Sequence, residues 1–354
     1  MTNERTGMIQ TVLGLITPNE LGITQTHEHL LVDTRAIRIE PTEATARRIF
    51  HAAMSPEISA YVRHYGMDNL DSALLDDIEE VIEEVSLYKQ YGGQSIVEVT
   101  SGGIGRDPVG LARISRTTGL NIIAGASYYV DAAHPPEVDE FSEDKITETI
   151  IADVTVGANG TGIKSGVIGE VGCSWPLTDN ERKVLRASGR AQVETGAPIL
   201  VHPGRNPTAP MQAIDILRAV GVDTSRIIMA HIDRTIFSYD RLKELAETGC
   251  YLEWDLFGTE NSYYSMNPTV ERPSDGKRMD DIAWAIGQGY GERIVIAQDT
   301  FMKHQLIRHG GFGYQYILAH IVPRMRARGF SQEDIDRMLV HNPAAVLAFI
   351  EPGD

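Results

Sequence analysis

The sequence predicts a closed parallel α/β barrel, a (β/α)8 TIM barrel, and three observations lead there. Short apolar runs ending in polar residues alternate with longer amphipathic segments, the pattern of repeated strand-helix units. Eight such runs occur. Residues of metal-ligand type recur at the C-terminal ends of runs one, four, five, six and eight, and those ends share a single mouth only if the sheet closes on itself. An open, doubly wound sheet is the alternative topology. The length of 354 residues suits one barrel domain spanning 1–354 with insertions.

In chain order, the segment from Met8 to Leu15 reads as a lead-in hairpin, with TPNELG as its turn. The eight runs are then GITQTHEHLL, QSIVEVTSGG, LNIIAGASYYV, SGVIGEVGCS, APILVHPGR, RIIMAHIDR, CYLEWDLFG and RIVIAQDT. Helical periodicity falls between them, over Asp71 to Tyr91, Asp179 to Glu194, Ala209 to Val220, Tyr239 to Thr248 and Lys277 to Gly287. Two stretches exceed the minimal repeat. An insertion at 33–70 is long enough to form helices over the barrel mouth or a contact between copies, and a loop at 258–273, rich in turn formers and aromatics, suits a cover over substrate.

Composition excludes several classes of function. A formal net charge of −17 and a pI near 5.1 give no basic face for nucleic acid or an anionic membrane. No apolar run approaches the ~20 residues of a membrane-spanning helix. Two cysteines, Cys173 and Cys250, are too few for a disulfide framework, and the polar start MTNERTGMIQ lacks a leader pattern, so a reducing, cytoplasmic protein is expected.

The chemistry is concentrated at the strand ends. His27 and His29 sit at i and i+2 in a strand, so both imidazoles face one side and can share a metal ion. Glu170 in GVIGEVG, His202 closing PILVH, His231 closing RIIMAH and Asp299 closing IVIAQD add the other donor types. Neutral imidazoles supply affinity, and carboxylates offset the charge of closely spaced cations and move protons. Two divalent ions are implied, with zinc favoured and manganese, cobalt or iron compatible with the same donors. Arg205 and Arg234, each three residues past a histidine, could grip an anionic substrate or form structural salt bridges. Tyr128, or its neighbour Tyr129, could donate to a substrate carbonyl.

These blocks carry a resemblance. THEHLL, GVIGEVG, ILVHPGR, IMAHID and VIAQDT resemble the phosphotriesterase family of the amidohydrolase superfamily over nearly the whole chain. GCSWPLTDNERKVL, EWDLFGTE and GGFGYQYILAHIVPRM resemble its phosphotriesterase-related subgroup. The resemblance implies that His27, His29 and Asp299 hold one metal and His202 and His231 the other, with Glu170 bridging where other members use a carboxylated lysine. Lys164, before the start of its strand, is the rival for that position. It also implies a hydroxide between the metals as nucleophile and Asp299 as proton shuttle. Animal members of the subgroup hydrolyse N-acetyltaurine, which points to a small anionic N-acyl amide. A lactonase or carboxylic esterase with promiscuous phosphotriesterase activity is the second reading, and a catalytically silent binding barrel the third. The family's habit of dimerising implies a homodimer.

Overall fold

The structure, a computed structural model, describes residues 4–66 and 69–353. Eight parallel strands run in sequence order around one sheet: β1 (Thr24–Glu28), β2 (Ser95–Glu98), β3 (Asn121–Ala126), β4 (Val167–Gly172), β5 (Ile199–His202), β6 (Ile227–Met229), β7 (Tyr251–Trp254) and β8 (Ile294–Ile296). Backbone bonds from Asp299 to His27 (3.1 Å) and from His29 to Thr300 (3.0 Å) join the last strand to the first. The barrel is therefore closed and the open-sheet alternative falls. Glu28 reinforces the seam, its two carboxylate oxygens accepting the Gln298 and Thr300 amides at 2.8 Å each.

Alternation along each strand explains why the runs read as almost continuously apolar. Val97, Ile123, Val167, Leu200, Ile228 and Val295 pack together in the barrel interior, while their neighbours Ile122, Ile168, Ile199, Ile227 and Ile296 pack in the layer between sheet and helices. Each such side chain contributes about 1.5–3 kcal/mol through burial.

Seven helices cross between successive strands: α1 (Ile78–Gln90), α2 (Pro108–Thr118), α3 (Glu143–Ala152), α4 (Asp179–Thr195), α5 (Ala209–Ala219), α6 (Tyr239–Ala246) and α7 (Asp275–Gly287). The capping box of Thr178 with Glu181 starts α4, and left-handed Gly196 ends it, one residue beyond the expected span. The first helix begins later than its periodicity suggests. Asp77 caps it by accepting the Glu79 and Glu80 amides, and Leu74–Leu75 upstream pairs instead with Val32–Asp33. The lead-in hairpin is also placed differently. Its strands are Ile9–Thr11 and Gly14–Ile16, turning at Val12 and Leu13, and Pro18–Leu21 is a helical turn rather than the hairpin loop because Pro18 is set at its first position.

The two extra segments meet over the C-terminal mouth. The insertion forms helices Ala44–Phe50 and Pro56–Tyr65. Its second helix joins the loop after β7 through Asn261 Nδ2 to the Arg63 carbonyl (2.5 Å), Ser265 Oγ to the Tyr65 carbonyl (2.7 Å), and a stacked pair of His64 and Tyr263 rings 4.9 Å apart. No described helix is long and apolar enough to cross a membrane.

Candidate metal centre and cavity

All six expected ligands converge at the C-terminal ends of the strands and all are buried. His29 Nε2 lies 3.2 Å from Glu170 and 3.5 Å from Asp299, and His27 Nε2 lies 3.5 Å and 3.7 Å from the same two carboxylates. On the other side, Glu170 Oε2 lies 2.8 Å from His202 Nδ1 and 3.6 Å from His231 Nε2, and those two nitrogens are 2.8 Å apart. Glu170 thus faces both histidine pairs. Lys164 instead lines a groove with Glu4, Gln10 and Leu13, away from this cluster, and cannot take the bridging place. His231 and Asp299 both adopt left-handed backbone (φ 56° and 51°), a local strain of about 1 kcal/mol or more each, held where the chain turns its ligands inward.

The donor set fits metal ions. His27 Nε2 is wholly buried and has no hydrogen-bond partner, yet it points at two carboxylates; such an orphan is costly without a ligand. The remaining ring nitrogens are engaged from behind, which fixes the imidazole orientations. His27 Nδ1 meets Glu253 at 3.0 Å, His29 Nδ1 meets the Thr100 hydroxyl at 2.8 Å, and His231 Nδ1 meets Asp255 at 2.8 Å. Asp255 also accepts the His231 amide at 2.7 Å. Glu253 and Asp255 were not expected from the sequence. They repeat at i and i+2 near the end of β7 the alternation of His27 and His29, and that spacing was the available signal.

The electrostatics agree. Burial alone would push the His29 imidazole down, but hydrogen bonds and charge from Asp299 and Glu170 bring its pKa up to about 9. Burial pushes Asp299 up, and the neighbouring imidazoles outweigh it, holding the carboxyl down to about 2. The two carboxylates that favour a proton on His29 favour a divalent cation at the same point.

A cavity of about 330 Å³ opens from this cluster. Arg205 and Arg234 both line it, and among the described residues neither pairs with a carboxylate, so the salt-bridge alternative fails. Their surroundings differ. Arg234 is buried and committed, donating to the Pro203 carbonyl (3.2 Å) and lying 3.0 Å from His202 Nε2. Arg205 donates Nε to the Tyr264 hydroxyl at 2.6 Å. Tyr128 does not line the cavity. Ser127, with φ 82°, interrupts the strand alternation, so Tyr128 turns toward His134 while Tyr129 lines the cavity, its ring 5.0 Å from that of His202. His304, which closes no strand, also lines the cavity. Lys303 beside it is paired with Asp71 at 2.6 Å. Cys173 and Cys250 are free and buried, and burial pushes both thiols up.

A closed barrel with four histidines and two carboxylates gathered at its C-terminal mouth defines a metal-dependent hydrolase. The model of the Phosphotriesterase family matches residues 7–347, and the chain belongs to that family, whose members use a binuclear metal centre. It is 45% identical to the phosphotriesterase-related protein of Nematostella vectensis over 97% of this chain and 99% of that one. It is 44% identical to the N-acetyltaurine hydrolase of Xenopus tropicalis, covering 97% and 98%. Among solved structures, a resiniferatoxin-binding protein from Rhodobacter sphaeroides superposes with a TM-score of 0.93 at 35% identity, covering 97% of this chain and 95% of that one.

Proposed function

We propose that the protein hydrolyses the amide bond of a small anionic N-acyl compound of the N-acetyltaurine type, with zinc as the native metal. The observation that carries the anionic part is Arg205: a guanidinium on the cavity wall with a phenol and a thioether as its side-chain partners, in a chain where acidic residues outnumber basic ones 49 to 32. The name borne by relatives such as the Xenopus protein supports the amide and the tail.

His27, His29 and Asp299 would hold one ion, His202 and His231 the other, with Glu170 between them. When bound, such ions supply Lewis acidity and bring the acidity of water into the neutral range. The chain's own groups do the rest. Tyr129 stands at the cavity wall beside His202, where its hydroxyl can donate to the acyl oxygen. Asp299, ionised and bordering the cavity, takes the proton released as water adds to the acyl carbon and passes it to the departing amine as the carbon–nitrogen bond breaks. Arg234 positions His202 rather than touching substrate.

The test is acetate release from N-acetyltaurine, followed by proton NMR with zinc-loaded and chelator-stripped protein. Turnover in the loaded sample alone is expected. No turnover by protein holding two zinc ions would overturn the amide reading and direct attention to lactones and esters.

A further inference from the structure

We infer that Arg63, Arg205, Arg272 and His304 form an anion subsite on the outer wall of the cavity, built for a tail with three terminal oxygens, a sulfonate, in preference to a carboxylate. The inference rests on the hydrolase reading above and names where its substrate's charged end is held.

All four side chains line the one cavity, and they come from separate segments: the helix Pro56–Tyr65, the turn after β5, the loop after β7 and the turn after β8. Among the described residues none of the three guanidiniums pairs with a carboxylate. Each is anchored through part of its fork only. Arg63 donates Nη2 to the Gly310 carbonyl at 2.6 Å. Arg272 donates Nε to the Asn261 carbonyl at 3.0 Å and Nη2 to the Tyr263 carbonyl at 2.8 Å. Arg205 uses Nε on Tyr264 and Nη2 on Met266, 3.2 Å away. In each arginine the Nη1 arm makes no hydrogen bond to another described residue, and an anion is what such arms recognise. Arg205 and Arg272 approach the same ring, their guanidinium carbons 5.9 Å and 5.3 Å from the centre of Tyr264, so that phenol spaces them.

His304 joins this group as a neutral donor or acceptor. Burial, with the charges of Arg63, Arg38 and Arg272, brings its pKa down to about 3, and Ser72 Oγ engages Nδ1 at 3.0 Å. Among the described residues, the one acidic side chain of the wall besides the expected metal ligands, Glu260, turns away, accepting the Asp275 amide at 3.2 Å with Arg324 3.7 Å off. Three guanidiniums approaching from three segments match three oxygens arranged around a tetrahedral centre better than the two coplanar oxygens of a carboxylate, which one fork satisfies alone.

Isothermal titration of zinc-loaded protein with 1-propanesulfonate tests this independently of any turnover. Saturable binding is expected, with butyrate at least tenfold weaker and the neutral methyl propyl sulfone not bound. Arg63→Met, whose arginine holds only an exposed carbonyl, should weaken the sulfonate at least tenfold. Arg272→Met should do likewise and Arg272→Lys less, which separates loss of charge from loosening of the loop. Equal affinity for butyrate, or unchanged sulfonate affinity in Arg63→Met and Arg272→Met, would overturn the subsite. Sulfonate binding as expected without N-acetyltaurine turnover would retain the subsite and reject the amide reading.

Discussion

At the residue scale, function rests on side chains whose partners face away from the reaction. Asp299→Asn removes the group proposed to bind metal and carry a proton, and it should lower kcat by about 100-fold or more, a range typical of acid–base groups. Metal content measured on the same sample separates the two roles, and near-normal turnover with both metals bound would reject the shuttle. His304 gives a prediction about stability. Its folded pKa of about 3 lies below that of an exposed imidazole, about 6.5, so the unfolded chain takes a proton that the folded one refuses as pH falls from about 6.5 toward about 3. Stability present above that window is lost within it. His304→Gln should therefore soften the acid limb of the melting profile, by about 2 kcal/mol near pH 5, while identical acid limbs would show that burial does not exclude the charge. The convergence of the six candidate ligands was legible in the sequence because strand alternation and strand ends fix where such residues point. His304 was not, since it lies five residues past Asp299 in a turn whose direction no periodicity encodes.

At the element scale, the loop after β7 is held by a buried ionic cluster. Arg278 on α7 donates to Asp233 (2.7 Å) and Asp275 (2.8 Å), and those carboxylates accept the Leu256 and Gly258 amides. All three charged residues are buried. Replacing Arg278 by Met leaves the buried Asp233 without a cation and Asp275 with Arg324 alone, 3.6 Å away, and should cost about 3–5 kcal/mol, read by denaturant unfolding. A loss below about 1 kcal/mol would mean that the cluster does not fix the loop. The seam between β1 and β8 makes a similar demand. Glu28→Gln keeps an acceptor for one backbone amide but sets an NH2 donor against the other, and should cost about 1–3 kcal/mol. Neither network could be read from the sequence, because each joins residues far apart in the chain through bonds that only barrel closure creates. The strands and crossover helices could be read, since period and caps are local. Where local signals competed, as at Asp77 and Pro18, capping and proline geometry decided the boundary.

At the scale of the whole molecule, a chain of net charge −17 holds a cavity walled by arginines at the mouth where strand ends deliver a candidate metal-binding cluster. The insertion and the loop after β7 close over that mouth, so the parts least regular in sequence shape the substrate pocket while the repeats build its floor. That division explains why the fold and ligands could be anticipated and the pocket wall could not: barrel geometry is set by repetition, whereas Tyr129 in place of Tyr128 depends on one left-handed residue, Ser127. The most direct measurement is a titration of zinc into chelator-stripped protein in bicarbonate-free buffer, with bound metal and acetate release from N-acetyltaurine recorded together. With Glu170 as the bridging carboxylate, activity should rise to a plateau at two zinc ions per chain and be unchanged by added bicarbonate. A plateau at one ion, or a requirement for bicarbonate, would contradict the site described here.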